Sequence, residues 1–177
     1  MVKKHVVGYC NGLVCLSKMI KNPSTYDIYS LSMPEVFSIF TPSVADGYVK
    51  FHGFGFDLIT KEYKSVIIFN SSASVVVFKC IMVFTLGTRC WRKIEIPNPP
   101  RKLFGDDVYK AAISCSGVLY WRTTVGSRDK ISFDLHSEKF QVLRIPSECI
   151  VSSTEQQHHA VIVHGIWSLK DHCVLYV

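Results

Sequence analysis

The stretch FDLHSEKFQVL, residues 133–143, recurs twice more in this chain with the same spacing. Residues 56–66 read FDLITKEYKSV, and residues 84–94 read FTLGTRCWRKI. Each copy has Phe first, Leu third, an aromatic residue eighth and an aliphatic residue eleventh, with mostly polar residues between the Leu and the aromatic residue. A fourth, weaker copy, KNPSTYDIYSL at residues 21–31, has Ile28 at the aromatic position. This recurrence predicts one structural unit that is used repeatedly along the chain.

Each copy has the pattern of a β-hairpin. Apolar residues lead into it, turn-forming residues such as Gly87 and Thr88 follow, and a second alternating stretch then begins. Alternation over a short run that is bounded by turn residues is typical of strands. Three copies end in a proline, namely Pro34, Pro97 or Pro146. Because proline has no amide proton for a sheet ladder, these prolines predict the points where strand pairing stops.

A second repeated element, a glycine turn followed by alternating apolar residues, precedes the hairpins. It reads CNG at residues 10–12, CSG at 115–117 and HG at 164–165. A glycine-led strand and a hairpin together supply three strands of a blade. The hairpin copies begin at residues 21, 56, 84 and 133, and this irregular spacing predicts connections at residues 34–52, 97–107 and 147–159. We therefore predict an all-β fold of three to four antiparallel blades in an incomplete ring.

The composition fits one globular domain with a β-sheet core. Of the 177 residues, 48% are hydrophobic and 12% aromatic, which is far from a disordered composition. We expect the repeat aromatics Tyr63, Trp91 and Phe140 to be largely buried, with Trp121 beside them. The longest apolar run, residues 75–84, contains Lys79 and is shorter than the roughly 20 residues that a membrane-spanning helix needs. The sequence therefore predicts no membrane partner.

The seven cysteines are odd in number and include no CxxC pair. A secreted disulfide framework usually has an even number of cysteines in a short chain. We therefore predict reduced, mostly buried thiols and a location in the cytoplasm or the nucleus.

The chain carries a net charge of +6, with one local concentration of basic residues. Its members are Arg89, Arg92, Lys93, Arg101 and Lys102. The simplest interpretation is a solvated hairpin rim, and the alternative is a surface for an acidic partner, either a protein or a nucleic acid. Trp91 and Phe104 interleave with these residues, but the repeat position of Trp91 favours a core role over base stacking. The absence of a continuous basic stripe also counts against a nucleic-acid partner.

No motif in the sequence supports catalysis or cofactor binding. GFGFD at residues 53–57 lacks the third glycine and the helix of a dinucleotide site, and SCSG at 114–117 lacks the leading glycine of a nucleophile elbow. Asp106 and Asp107 are typical turn formers, and the recurrence of Asp57 and Asp134 at one repeat position favours a turn or blade-closing hydrogen bond. A histidine-rich group near the end of the chain has no standard zinc spacing: His158, His159, His164, His172 and Cys173. We therefore predict that the chain is not an enzyme and holds no cofactor or metal.

Six stretches in a fixed order carry a resemblance to a known family. They are GYCNGLVCLS at residues 8–17, KNPSTYDIYSL at 21–31, GFGFDLITKEYKSV at 53–66, VFTLGTRCWRKI at 83–94, CSGVLYWRT at 115–123 and ISFDLHSEKFQVLRIP at 131–146. In this order they resemble the F-box associated domain of plant F-box proteins, from Val7 to about Ile150. One stretch alone is a weak signal, whereas six in order are specific.

The resemblance implies a fold and a function. It implies that residues 1–177 form a single F-box associated β domain, an incomplete kelch-like β-propeller truncated at both ends relative to the family. Such a domain captures a target protein, while an N-terminal F-box docks on a Skp-type adaptor in an SCF-type, cullin–RING ubiquitin ligase. Binding to the adaptor is therefore expected only if an F-box is supplied, and the chain could also be a remnant that no longer assembles. The target-binding residues stay unassigned because they are not part of the family's recurrent motifs.

A second function class stays open from the residues alone. A lectin-like or nucleic-acid-binding β domain would use the basic hairpin rim instead of a surface for target proteins. Salt-sensitive binding to nucleic acid would favour this alternative.

Overall fold

The computed structural model describes residues 4–18, 25–44, 48–70, 78–95, 110–121, 129–144, 166–169 and 172–175. Within these ranges the chain is all-β. Its strands are β1 (Lys4–Cys10), β2 (Leu13–Lys18), β3 (Thr25–Ser30), β4 (Val36–Phe40), β5 (Tyr48–Asp57), β6 (Glu62–Asn70), β7 (Phe78–Thr85), β8 (Cys90–Ile94), β9 (Lys110–Ala111), β10 (Ile113–Cys115), β11 (Val118–Trp121), β12 (Asp129–Asp134), β13 (Phe140–Arg144), β14 (Ile166–Leu169) and β15 (His172–Leu175).

The strands form three meandering sheets, which we call the first, second and third blades. Their strand orders are β1-β2-β3-β4, β5-β6-β7-β8 and β10-β11-β12-β13, and β14 pairs separately with β15. Pairing is antiparallel throughout each blade, whereas the short β9 pairs in parallel with β5. The leading strands β1, β5 and β10 contact one another, so the blades pack side by side. The prediction of an all-β fold with three to four antiparallel blades is confirmed.

A cross-strand aromatic pair explains the spacing of the repeat. In each strong copy the first and eighth residues lie directly opposite each other in the hairpin. Opposed rings at such positions stabilise a hairpin by roughly 0.2–1 kcal/mol relative to an alanine pair. The ring centroids are 4.8 Å apart for Phe56 and Tyr63, 5.2 Å for Phe84 and Trp91, and 4.8 Å for Phe133 and Phe140.

The second residue of the repeat fixes the turn. Asp57 Oδ1 accepts hydrogen bonds from the backbone N–H groups of Ile59 and Thr60, at 2.9 and 3.1 Å. Asp134 Oδ1 does the same for the residues two and three positions after it, at 3.0 and 2.6 Å. Short carboxylate side chains commonly stabilise turns in this way. The prediction that the recurrent aspartates serve a turn hydrogen bond is therefore confirmed.

The weak fourth copy lies in a different register from the predicted one. Residues 25–30 form the continuous strand β3, so the turn predicted there does not exist. The true fourth copy is YSLSMPEVFSI at residues 29–39, in which Tyr29 lies opposite Val36. Ser30 Oγ takes the place of the aspartate, because it accepts hydrogen bonds from Ser32 N and Met33 N at 3.3 and 3.2 Å. This copy does not match the repeat pattern in the sequence, because it has a hydroxyl in place of the carboxylate and Val in place of the aromatic residue.

Two further expectations about the chain course were wrong. Pro34 lies in the turn between β3 and β4 rather than at the end of a pairing segment, and residues 34–52 contain β4 and the start of β5 instead of a connection. In addition, the copies at 56–66 and 84–94 belong to one blade, because a four-stranded meander has two hairpin turns at the same end. The connections predicted at 97–107 and 147–159, together with Pro97 and Pro146, lie outside the described residues.

Two apolar clusters lie between the blades. The first joins the first and second blades around Tyr26, Phe54 and Ile67, and the second joins the second and third blades around Trp121 and Phe133. The expected burial of Trp121 is confirmed. The eighth-position aromatics Tyr63, Trp91 and Phe140 are only half-buried, contrary to expectation, because they sit next to the turns, where the hairpins meet solvent.

The cysteines agree only in part with the expectation of reduced, mostly buried thiols. Cys15 and Cys80 are buried free thiols, and Cys10 is a half-buried one. Cys90 is free but exposed. Cys115 is disulfide-bonded in this structure, so the prediction of a reduced thiol is wrong there.

Candidate functional site

The hairpin turns of the three blades form one end of the molecule, which we call the turn face. In a four-stranded meander the first and third turns lie at the same end, and a backbone hydrogen bond ties them together in each blade. Leu31 N donates to Gly12 O at 2.9 Å in the first blade, and Leu86 N donates to Tyr63 O at 2.9 Å in the second. The equivalent bond in the third blade is 3.0 Å long. The turn face comprises residues 11–12, 31–35, 58–61, 86–89, 116–117 and 135–139.

Contacts between neighbouring blades hold these turns against one another. Tyr63 Oη donates to Asn11 O at 3.5 Å, and the Arg89 guanidinium lies 5.1 Å from the ring centroid of Phe37. Trp91 Nε1 donates to Phe40 O at 2.8 Å, which joins the outer strands of the first two blades. The turn face is therefore a continuous surface rather than a set of separate loops.

A buried ion pair anchors the third blade to the second. Lys64 Nζ lies 2.8 Å from Asp57 Oδ2 and donates to Leu135 O at 2.6 Å. The side chains of Lys64 and Asp57 are 6% and 0% exposed. Glu138 extends this network, since its Oε1 lies 3.5 Å from Lys64 Nζ and also pairs with Arg92.

The environment of Asp57 favours its charged form. Burial acts to raise the pKa of this carboxyl, but the hydrogen bonds from Lys64 and from the backbone of Thr60 and Ile59 outweigh burial and leave the pKa well below its ordinary value. The carboxylate thus accepts three hydrogen bonds that serve the fold, and His136 Nδ1 lies 3.5 Å from its Oδ2.

His52 is another buried titratable group, near the centre of the fold. Its Nδ1 lies 3.3 Å from Tyr26 Oη, and the two rings meet edge to face at 6.0 Å. Burial, together with the charge of His5, lowers the pKa of His52 to about 4. The imidazole is therefore neutral at pH 7 and serves packing. Its backbone carbonyl accepts a hydrogen bond from Trp121 Nε1 at 3.1 Å.

An open cleft of about 400 Å³ lies between the first and second blades at the turn face. Its walls come from β2, β3 and β4 on one side and from the turn between β7 and β8 on the other. The lining residues are Leu13, Ile28, Ser30, Glu35, Val36, Phe37, Leu86 and Arg89. We call this feature the blade cleft. Its lining is largely apolar with a few polar groups, which is typical of sites that bind a side chain or a small ligand.

The turn face also exposes large apolar side chains, which cluster on two turns. Leu31 and Met33 lie on the turn between β3 and β4, and Leu58 and Ile59 lie on the turn between β5 and β6. Exposed apolar residues that are grouped rather than scattered mark interaction surfaces. Sequence reasoning missed the first group because it misplaced the fourth repeat copy, whose correct register puts Leu31 and Met33 at turn positions.

The structure divides the predicted basic rim among different roles. Arg92 is paired with Glu138, Arg89 lies over Phe37, and Lys93 is exposed. Because Arg92 is paired with an acidic side chain, its charge is partly neutralised, which counts against the nucleic-acid-binding alternative. Arg101 and Lys102 lie outside the described residues.

The two stretches that partly match a dinucleotide site and a nucleophile elbow have structural roles. GFGFD belongs to β5, and a Cβ on Gly53 would lie 2.7 Å from Leu119 Cδ1, so the glycine permits close packing of two blades. SCSG forms the turn between β10 and β11, where Gly117 has a φ of 79°. Among the described residues, no group of three or more His, Cys, Asp or Glu could hold a metal ion, and no helix could cross a membrane.

Several of the singled-out residues cannot be placed. Asp106 and Asp107, as well as His158, His159 and His164, lie outside the described part of the chain. His172 and Cys173 belong to β15, for which the backbone alone is described.

These features define a blade-built β scaffold with a structured turn face. The family model for the F-box associated beta propeller domain matches residues 1–164. The chain belongs to this family, as its sequence predicted.

Curated relatives from Arabidopsis thaliana agree with this assignment. An F-box/LRR-repeat/kelch-repeat protein is 32% identical over 146 residues, which cover 76% of this chain and 37% of the relative. A putative F-box protein is 30% identical over 154 residues, covering 81% of this chain and 30% of the relative. A second putative F-box protein is 29% identical over 183 residues, covering 91% of this chain and 40% of the relative. The matched region is therefore well under half of each relative's own length.

Proposed function

We propose that this chain is the target-recognition module of an F-box protein in an SCF-type ubiquitin ligase. Family membership supports a role in substrate recognition, and the turn face is the observation that carries the proposal. Its backbone is held by turn-capping side chains and by contacts between blades, while its outer side chains are exposed. A rigid scaffold that presents varied turn residues is the usual design of a recognition surface.

In this proposal the chain itself performs no chemistry, and other subunits carry out ubiquitin transfer. The buried charged and titratable groups support this division of roles, because they are occupied by structural contacts. Asp57 is satisfied by Lys64 and by two backbone N–H groups, and His52 lies against Tyr26. We further propose that residues 1–177 act as one domain and that the protein works in the cytoplasm or the nucleus, as the sequence led us to expect.

Reconstitution with an F-box tests this function. An F-box taken from one of the Arabidopsis relatives is joined to the N-terminus of the full chain, and the fusion is combined with a Skp-type adaptor, a cullin and a RING subunit. We expect the fusion to retain the adaptor and the unfused chain not to retain it. In plant extract, quantitative proteomics should then find proteins whose ubiquitination requires the fusion but not the F-box alone.

Two results would contradict the proposal. Adaptor capture by the unfused chain would show that the β domain itself docks on the ligase. If no protein in the extract changes its ubiquitination between the fusion and the F-box alone, then the chain does not recognise ligase targets.

A further inference from the structure

We propose that the blade cleft binds a target segment in which a large apolar side chain stands beside a carboxylate, with Arg89 as the receptor for that carboxylate. This inference rests on the proposed function and specifies its substrate class. The occupant is a protein segment in extended conformation that crosses the turn face between the first and second blades.

The apolar side chain of the proposed target segment is inferred from the cleft lining. Leu13, Ile28, Phe37 and Leu86 form its walls. Val36 is at once a lining residue and 52% exposed, so it forms part of the rim. A pocket that receives one bulky apolar side chain, from which water is excluded on binding, is the usual form of a binding hot spot.

The turn face exposes two more large apolar side chains on the same hairpin as Val36. Leu31 and Met33 are 66% and 55% exposed on the turn that leads into β4. Three large apolar side chains exposed within one hairpin exceed the scattered exposure that is normal on a monomer. A segment that inserts one side chain into the cleft would also cover these three.

The carboxylate of the proposed target segment is inferred from the contacts of Arg89. Its guanidinium is held 5.1 Å from the ring centroid of Phe37, and its backbone is fixed at the end of a turn with a φ of 54°. No carboxylate forms an ion pair with it among the residues that the structure describes, whereas Arg92 on the same hairpin is paired with Glu138. Arg89 thus lines the cleft as a positioned cation.

A guanidinium in this arrangement favours a carboxylate partner. A cation held over an aromatic ring is attracted through its charge, so the N–H groups of Arg89 are not used up as hydrogen-bond donors by this contact. These N–H groups match the two oxygens of a carboxylate in a bidentate pair, which is stronger and more directional than a pair with lysine. Two further cations of the turn face, Lys61 and Lys139, are exposed and add attraction for an acidic segment.

Glu35 supplies a test with the opposite sign. It lines the same cleft as Arg89, and its charge repels a second carboxylate on the ligand. Neutralising Glu35 should therefore strengthen binding of an acidic segment, while neutralising Arg89 should weaken it. A cleft that merely attracts apolar peptides would not respond to these two changes in opposite directions.

The probe is a display library of random ten-residue peptides that is panned on the full chain. We expect the enriched peptides to share a large apolar residue with Asp or Glu at an adjacent position. One enriched peptide, carrying a fluorescent label, is then titrated by fluorescence polarisation with four variants: R89A, E35Q, V36D and the matched control K93A, which removes one positive charge from the same hairpin away from the cleft.

We expect the dissociation constant to rise about tenfold or more for R89A, since one charge-assisted bidentate pair is lost. V36D should weaken binding by a similar factor, because it places a second acidic charge at the rim. K93A should change affinity by less than about twofold, since the charge it removes is exposed and screened, and E35Q should tighten binding. Circular dichroism and thermal melting confirm that every variant is folded before it is titrated.

Four outcomes overturn this inference: no enriched peptide, enriched peptides without acidic residues, equal losses for R89A and K93A, or weaker binding by E35Q. The inference is also overturned if the chain binds single-stranded nucleic acid, or a second copy of itself, more tightly than it binds any peptide. The same R89A change in the F-box fusion separates the two proposals. If the R89A fusion still promotes ubiquitination of the proteins that require the unmutated fusion, then the chain recognises targets but binds them at a site other than the blade cleft.

Discussion

Replacing Lys64 with methionine would test whether the buried ion pair holds the second and third blades together. Methionine keeps most of the apolar stem of lysine and removes only the ammonium group. The change deletes the contact of 2.8 Å to Asp57 Oδ2 and the hydrogen bond of 2.6 Å to Leu135 O. Asp57, whose side chain is 0% exposed, would then be a buried charge without its cation.

The structure sets the magnitude of the loss. Removing one partner of a buried ion pair typically costs about 3–5 kcal/mol, because the other charge is left uncompensated. Asp57 Oδ1 would still accept hydrogen bonds from Ile59 N and Thr60 N, which places K64M at the lower end, about 3 kcal/mol. For an unfolding slope of about 2 kcal/mol per molar urea, the midpoint would fall by about 1.5 M.

The assay is urea unfolding followed by tryptophan fluorescence, to which Trp121, buried in the interface between these blades, contributes. The double variant D57N/K64M is the control, because the amide side chain that replaces the carboxylate still offers an oxygen to the two turn N–H groups but carries no charge. We expect the double variant to regain at least half of the free energy lost by K64M. A loss below about 1 kcal/mol for K64M, or a double variant as unstable as the sum of the single ones, would refute the electrostatic account.

The pH dependence gives an independent check with a defined sign. The pKa of Asp57 is lowered in the folded chain, so the stability it contributes is present above the unfolded-state value of about 3.9 and is lost as the pH falls through the folded-state value. In K64M the hydrogen bond from the ammonium group, which opposes burial, is gone, and the pKa of this carboxyl would rise. The difference in unfolding free energy between wild type and K64M should therefore narrow as the pH is lowered from 7 to 4. A difference that widens over this range would contradict the assignment.

Three other predictions follow from packing and from the sheet edges. Phe133→Ala should lower the free energy of unfolding by about 3–5 kcal/mol because the ring is buried. Trp91→Ala should lower it by less because the Trp91 ring is half-buried, so equal decreases in urea unfolding would contradict the packing description. Gly53→Ala should lower the melting temperature, since its Cβ would lie 2.7 and 2.8 Å from two side chains and overpacking costs about 1–3 kcal/mol; an unchanged melting temperature would mean that the contact is looser than described. Phe40, on the outer strand β4, is 70% exposed, and exposed apolar residues on an outer strand promote association; we therefore expect the chain to self-associate in sedimentation experiments and Phe40→Lys to reduce this association, and unchanged association would exclude this edge as its cause.

The hairpins could be predicted because their pattern is local. The first and eighth residues of each strong copy face each other across one turn, so their spacing in the sequence is fixed by the geometry of that turn alone. The same locality explains the failure at residues 21–31. There Ile28 and Leu31 match the repeat pattern in the sequence, whereas the hairpin in the structure is built on Tyr29, Ser30 and Val36, which are chemically weaker versions of the repeat residues.

The blade cleft and the buried ion pair could not be predicted in this way because their members are distant in the sequence. Lys64 of the second blade donates a hydrogen bond to the backbone of Leu135 in the third blade, and Arg89 of the second blade contacts Phe37 in the first blade. No periodicity marks such partners, since each depends on how whole sheets pack. The recurrence of Asp57 correctly predicted its turn hydrogen bonds, but a turn aspartate with a lysine seven residues later is too common a pattern to indicate a buried pair.

The turn design also separates the residues that fix the fold from the residues that the turn face presents. In each capped turn the second residue and the backbone fix the conformation, so the fourth and fifth residues contribute their N–H groups to the fold while their side chains face solvent. Ile59 and Thr60 are such a pair, and Ser32 and Met33 are another. Substitutions at these positions would change the surface that a target meets without removing the backbone N–H groups that bond to the second residue of each turn. Recognition can therefore diverge at the fourth and fifth positions while the first, second and eighth positions, which carry the fold, stay recognisable.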